Sequence, residues 1–302
     1  MNTLSQQKKQ LRQLVGTGTA HGVNIALGEL DKDGLDKLLE NGDELRAAVI
    51  QTITTKAREL SHSNQFASEE VSSSYAYPKE YKGPKPVVDQ IKAIAKIFDL
   101  DPSHALEFAK NLPVLPDGAE GWFAIPSVDA LAKKYFHEVT DPAEMYCQAV
   151  QFVHSKIAAS RSFYNYREGQ ITPAQLRVHA RTAHALNLIA ETQKGDILIV
   201  AAQLGMRHRG KSVRRAREVF VVNEFGLGSV IVGSIALTHP ERFVRFDELD
   251  TDCAGDEFMS GGEREFSCAP FFGFGGGGLR FCTSGVGDAG GNYGSASAFF
   301  PQ

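Results

Sequence analysis

The densest chemistry in this sequence is basic. MRHRGKSVRRARE (206–218) carries Arg207, Arg209, Lys211, Arg214, Arg215 and Arg217. Cations at this density can neutralise phosphates, and with Tyr164, Tyr166 and Arg167 they would offer stacking plus charge to RNA or a single strand. The competing reading is a solvated helix face, or a cluster paired with the acidic end of the same chain, and the charge distribution favours it. Residues 154–218 hold 12 Lys/Arg against 4 Asp/Glu, whereas residues 219–302 hold 4 against 11 and residues 1–153 hold 16 against 21. A net charge of −4 therefore hides a basic middle and an acidic end.

Other reactive residues lack the spacing that chemistry needs. His154, His179 and His184 fall in helical stretches, but the last two are five apart, about 140° around a helix, and do not share a face as a metal pair would. The acidic run Asp247, Glu248, Asp250, Asp252, Asp256, Glu257 has carboxylates enough for a cation without the register of a calcium-binding loop, so it reads as a carboxylate-capped turn. Cys147, Cys253, Cys268 and Cys282 form no CxxC pair, and no GxSxG or HExxH occurs. No enzyme, cofactor or metal site is expected. GFGGGG (273–278) suggests a phosphate loop, but it lies between two alternating apolar stretches and no GK[ST] follows.

The elements that must position these residues divide the chain unevenly. Leu35, Leu38, Leu39, Leu45, Val49 and Ile50 recur at helical spacing across a break at Gly42, so residues 1–60 read as a helical section. SHSNQFASEEVSSSYAYPKEYKGPKP (61–86) has no period and reads as a linker. Residues 87–194 read as a helical domain. Val88, Ile91, Ile94 and Ile97 form its first stripe, and helices begin at Asp101-Pro102, at Asp141-Pro142 and at Thr172-Pro173, the last running to about Ile189. SRSFYNYREGQ (160–170) reads as an aromatic turn. From Gly195 the period changes: DILIVAAQL (196–204) is a strand, a basic amphipathic stretch follows from Ser212, and GSVIVGSIAL (228–237) is a strand or a buried helix. Phe272 and Phe274, then Leu279, Phe281 and Thr283, alternate at period two and predict two short strands.

Ten of the 29 glycines fall between Gly273 and Gly294, where glycine contributes nothing to packing. The pattern resolves into framework and filler. The framework is Ala269, Pro270, Phe272, Phe274, Leu279, Phe281, Val286, Ala289, Tyr293 and the closing GSASAFFPQ. The filler is Gly273, Gly275, Gly276, Gly278, Arg280, Cys282, Ser284, Gly285, Gly287, Asp288, Gly290, Gly291 and Asn292, each reachable by changing the two adenines of an asparagine codon.

This interleaving resembles the variable region of a protein diversified by a retroelement, in which a reverse transcriptase rewrites adenine positions of a C-terminal repeat. The blocks EGWFAIPS (120–127), SFYNYREGQ (162–170), QLGMRHRGKSVRRAREVF (203–220), NEFGLG (223–228), THPERF (238–243), DCAGDEF (252–258) and YGSASAFFPQ (293–302) are similar to an uncharacterised family of candidate-phylum bacteria such as Parcubacteria. The resemblance implies an α+β chain: a helical N-terminal section, then a C-type-lectin-like mixed domain of the formylglycine-generating-enzyme type, with short antiparallel strands, over residues 195–302. It also implies that the filler side chains form one solvent-facing ligand-binding surface.

The expected function is thus non-enzymatic binding of a protein or cell-surface ligand by a hypervariable face, with Arg280, Asp288 and Asn292 as its polar handles. The alternative is an RNA- or single-strand-binding protein using Arg207–Arg217. The opening residues do not read as a signal peptide and no window approaches about 18 consecutive apolar residues, so a cytoplasmic protein without a membrane span is expected.

Overall fold

The computed structural model describes residues 4–28, 30–61, 64–262 and 265–300. The closing Pro301 and Gln302, the first three residues of the N-terminal section, and His62 and Ser63 of the expected linker lie outside them. The chain forms two compact units, residues 1–63 and 64–302.

The first unit is helical. It contains α1 (Leu4–Gly28), α2 (Lys32–Glu40) and α3 (Gly42–Ser61). Asp31 opens α2 by accepting from the Gly34 amide at 2.8 Å, and Gly42 starts the next helix instead of lying inside one. None of the described side chains of this unit is buried.

The second unit mixes helices with two sheets. Its helices are α4 (Val87–Phe98), α5 (Ser103–Phe108), α6 (Val128–Tyr135), α7 (Pro142–Ser160), α8 (Ala180–Gln193), α9 (Val213–Val219) and α10 (Ser229–Thr238). Its strands are β1 (Gly121–Pro126), β2 (Phe163–Asn165), β3 (Leu176–Val178), β4 (Ile197–Gln203), β5 (Glu224–Gly226), β6 (Asp250–Asp252), β7 (Asp256–Phe258), β8 (Cys268–Gly275), β9 (Gly278–Gly285), β10 (Tyr293–Ser295) and β11 (Ser297–Phe299). The first sheet is antiparallel, in the order β1-β4-β11-β5. The second is mixed: β8 pairs antiparallel with β6, β7 and β9, while β10–β6 and β2–β9 are parallel. The chain is therefore α+β.

Local chemistry explains most starts and stops. Asp141 accepts from the amides of Ala143 and Glu144 with Pro142 behind it, which opens α7 where the sequence placed a cap. GSVIVGSIAL is the buried helix of its two readings: α10 is apolar all round because it packs against α7, α4, β1 and β8. Gly233 permits that approach, since a Cβ there would stand 2.7 Å from Cγ1 of Val153.

Three expectations require correction. Thr172-Pro173 does not open a helix; it makes a turn with Leu176 N donating to Thr172 O, after which β3 pairs with β7. The helix starts only at Ala180, where the His179 ring accepts from the Arg181 amide at 3.3 Å. Residues 64–86 are no free linker: Val71 N donates to Gly210 O, Leu249 N donates to Ala76 O, and the Tyr81 ring is buried. Acidic and aromatic side chains gave this stretch partners that its lack of period concealed. Residues 87–194 are likewise no separate domain, because β1, β2 and β3 pair with β4, β9 and β7 from beyond residue 195.

Candidate ligand-binding face

The β8–β9 hairpin sorts framework from filler. Directly opposed residues of an antiparallel pair lie on one face, and successive residues alternate between faces. Phe272 opposes Phe281 and Phe274 opposes Leu279 on the first face. There Phe272, Leu279 and Phe281 are fully buried, and the Phe281 ring lies 4.4 Å from the ring of His154. On the second face Gly273 opposes Arg280, Gly275 opposes Gly278, Phe271 opposes Cys282 and Ala269 opposes Ser284. Six filler positions therefore share one face: Gly273, Gly275, Gly278, Arg280, Cys282 and Ser284.

Neighbouring strands extend this face into a row. Thr251 and Asp252 of β6 pair with Phe272 and Phe271, and one further step of that register sets Asp250 beside Gly273. Tyr293 pairs with Asp250, and Tyr164 pairs with Arg280. Across the sheet the order is thus Tyr293, Asp250, Gly273, Arg280, Tyr164. The Phe271 ring meets that of Tyr293 edge-on at 5.1 Å, and the Arg280 guanidinium lies over the Phe246 ring at 6.0 Å.

The face carries an unusual pair of carboxylates. Asp250 and Asp252 are two residues apart on one strand, on the same side of the sheet, and each is about 95% buried. Burial pushes the Asp250 carboxyl up to about 7, against the opposing influence of Arg280 and Arg242. Burial and the charge of Asp250 push Asp252 up to about 8. Near neutral pH the pair thus holds a proton that ordinary surface aspartates would have released.

The remaining filler is placed differently. Gly276 and Gly277 have φ of +61° and +82°, the left-handed pair that a two-residue hairpin turn requires. Gly276 is thus a turn residue. Gly273, Gly275 and Gly278 are buried, which corrects their expected exposure: a Cβ on them would meet, respectively, Asp250 Oδ1 at 2.2 Å, Arg280 Cζ at 2.7 Å and Ser162 Oγ at 2.7 Å. Gly285 ends β9 opposite Cys268, on the face of Phe272, whereas Gly287, Asp288, Gly290, Gly291 and Asn292 belong to the loop from β9 to β10. Asp288 is exposed and its Oδ2 accepts from the Gly285 amide at 3.2 Å, while Gly287 rests against the Arg214 guanidinium and Gly291 O accepts from the Ser73 hydroxyl.

The basic run is engaged inside the chain. Arg207 faces Glu224 at 3.4 Å, and Arg209 donates to Tyr75 O at 2.9 Å. Lys211 reaches Glu70 at 3.7 Å, Arg214 binds Glu69, and Arg215 binds Glu70 at 2.5 Å and Glu218 at 2.8 Å. Arg217 donates to the carbonyls of Ala254 and Asp256 at 2.9 and 2.6 Å. Glu69, Glu70 and Glu218 lie outside the acidic end, whereas Glu224 and Glu257, the latter 3.9 Å from Arg217, belong to it, so the expected pairing with that end accounts for part of the run.

The three histidines are apart in role. His154 is buried with neither ring nitrogen hydrogen-bonded, and burial takes its imidazole down to about 3. His179 caps α8 and His184 is exposed. Among the described residues no three His, Cys, Asp or Glu side chains gather to hold a metal ion, and no helix is long and apolar enough to cross a membrane.

Compared with known proteins, the chain matches no family model, no curated protein and no solved structure. The face must therefore speak through its own geometry. Sequence reasoning had found its filler but not Asp250, Asp252, Tyr164 and Tyr293 as its companions. The period-two placement of Asp250 and Asp252 was the available signal for two of them.

Proposed function

We propose that this chain is a non-enzymatic ligand-binding protein whose C-terminal face is diversified, in the manner of the variable proteins of diversity-generating retroelements, with residues 195–302 belonging to a C-type-lectin-like domain. One observation carries the reading. Six of the seven filler residues of β8 and β9 lie on one side of the hairpin, the exception being Gly285 at its open end, while Phe272, Leu279 and Phe281 lie buried on the other. A surface can be rewritten on a rigid strand only if its core face stays untouched, and period-two alternation provides that separation.

The ligand is a protein or cell-surface molecule met at the accessible members of the row, Tyr293, Arg280 and Tyr164, with Asp250 and Gly273 buried between them. Tyr164 is 43% exposed, so the face has an aromatic anchor although this copy's filler is mostly glycine. The basic segment contributes to the fold through the pairs described above.

Sequencing the gene in sibling isolates tests the proposal. Substitutions should concentrate at Gly273, Gly275, Gly278, Arg280, Cys282, Ser284, Gly285 and the 286–292 loop, and an adenine-bearing near-copy of those codons should lie near a reverse transcriptase gene. Substitutions spread evenly over residues 195–302, with no such copy, would sink it.

A further inference from the structure

A concave site lies among elements that carry none of the filler. A cavity of about 360 Å³ opens where β1 and β4 meet α6, α7, α8 and α10. Ile125, Leu198, Val230 and Ile231, all nearly fully buried, line its interior, and Leu186 and Ala190 of α8 form a wall. This size falls within the range of small-molecule sites, roughly 300–1,000 Å³.

The buried polar side chains that line the cavity already have partners, and Asn187 is exposed at its rim. The Tyr146 hydroxyl bonds Asp256 Oδ1 at 2.6 Å, and Ser127 Oγ accepts from the Ala130 amide. Its charged residues, Asp129 and Arg177, are exposed and opposite in sign, and Arg177 is paired to Glu257 at 2.7 Å. A charged group lodged among the interior side chains would lose its hydration and meet no counter-charge, whereas an apolar one would exchange water for Ile, Leu and Val. We propose that this cavity is a binding site for one small, uncharged, predominantly apolar molecule, separate from the diversified face.

The test uses the full chain and the neutral fluorophore N-phenyl-1-naphthylamine. Titration should show saturable one-to-one binding, weakened at least tenfold by Ala190→Phe, which fills the cavity, and unchanged by Val114→Ser, which removes a side chain 90% exposed elsewhere. 1-Octanol should displace the probe at least tenfold better than octanoate does. Absence of saturable binding, an unchanged affinity in Ala190→Phe, or equal competition by octanoate overturns the proposal. Should Ala190→Phe fail to fold, methyl NMR of the unsubstituted chain decides: the Ala183 and Ala190 methyl resonances must shift with the probe, and their invariance overturns it.

Discussion

Asp250 occupies the space that a side chain at Gly273 would fill. A Cβ on Gly273 would stand 2.2 Å from Oδ1 and 2.6 Å from Cγ of Asp250, so the carboxylate lies directly over the glycine backbone. Real Cβ atoms do not approach this closely, and Gly273→Ala must therefore swing the carboxylate away. The backbone at Gly273 is not left-handed, so alanine brings no conformational strain of its own. Since burial holds the Asp250 carboxyl up at about 7, its release toward solvent should lower the titration midpoint by a unit or more. Carboxyl carbon NMR reads this directly, and an unchanged midpoint would refute the placement of Asp250 over residue 273.

The two faces of β9 should respond oppositely to substitution. Phe281 is fully buried against Phe272 and His154, and Phe281→Ala should cost about 3–5 kcal/mol through lost burial and a residual cavity. Its neighbours Cys282 and Ser284 point to the other side and are half-buried. Cys282→Tyr and Ser284→Tyr should each stay within roughly 1 kcal/mol of the parent in chemical denaturation. Comparable losses on both faces would remove the physical basis for a rewritable surface.

The hairpin turn makes a related demand. Gly276 and Gly277 both have positive φ, which β-branched residues resist strongly and asparagine tolerates. Gly276→Val should therefore destabilise by roughly 1–2 kcal/mol while Gly276→Asn stays near the parent. Thermal melts of the two variants would separate a turn requirement from free variability, and equal melting temperatures would argue for the latter.

Local signals were legible in this sequence and distant adjacency was not. Asp141-Pro142 capped a helix where expected, and the alternation of Phe272, Phe274, Leu279 and Phe281 foretold β8 and β9, because in each case the physics lies within a few residues. β2 and β3 are three residues long and exist only through partners 78 to 116 positions away, so no periodicity could announce them. The stretch 64–86 looked like a linker since its order comes from Glu69 and Glu70 meeting the basic run and from Tyr77 and Tyr81 entering the core. Similarly, the row Tyr293, Asp250, Gly273, Arg280, Tyr164 is assembled from five strands, and its members stood out in sequence for separate reasons that gave no sign of their adjacency.

Asp252 should set the alkaline slope of stability. Its carboxyl is held up at about 8 in the folded chain by burial and by Asp250, against an ordinary value near 3.8. Between those values the folded state retains a proton that the unfolded chain has lost, so stability is fullest at low pH and declines as pH rises through about 8. Asp250 and Asp256, raised to about 7 and about 6, act in the same direction. Asp252→Asn removes one contribution while keeping the shape. It should match the parent near pH 4, exceed it by roughly 1–3 kcal/mol near pH 8.5, and flatten the slope between. A parallel pH profile for the two proteins would show that Asp252 is not held protonated.

Glu224 should produce the opposite dependence. It is fully buried on β5, where it faces His208 Nε2 at 2.6 Å, accepts from the Ser297 hydroxyl at 2.6 Å and lies 3.4 Å from Arg207. Burial pushes its carboxyl upward, but His208, Ser297 and Arg207 outweigh that, and the net shift is below the ordinary value near 4.5. A carboxylate depressed in the folded state contributes stability above its unfolded value, and that contribution is lost as pH falls through the lower folded one. Glu224→Ala also strands His208 and Ser297 in the interior, so it should cost about 3–5 kcal/mol at pH 7, as broken buried pairs do. Glu224→Gln should cost less, because the amide oxygen can still accept one of those bonds, and it should remove the part of the acid limb that Glu224 supplies below pH 4.5. Urea denaturation of the three proteins at pH 7 and pH 3.5 distinguishes these terms. A Glu224→Ala protein within 1 kcal/mol of the parent at pH 7 would mean that this buried cluster does not hold β5 and β11 to the segment around His208.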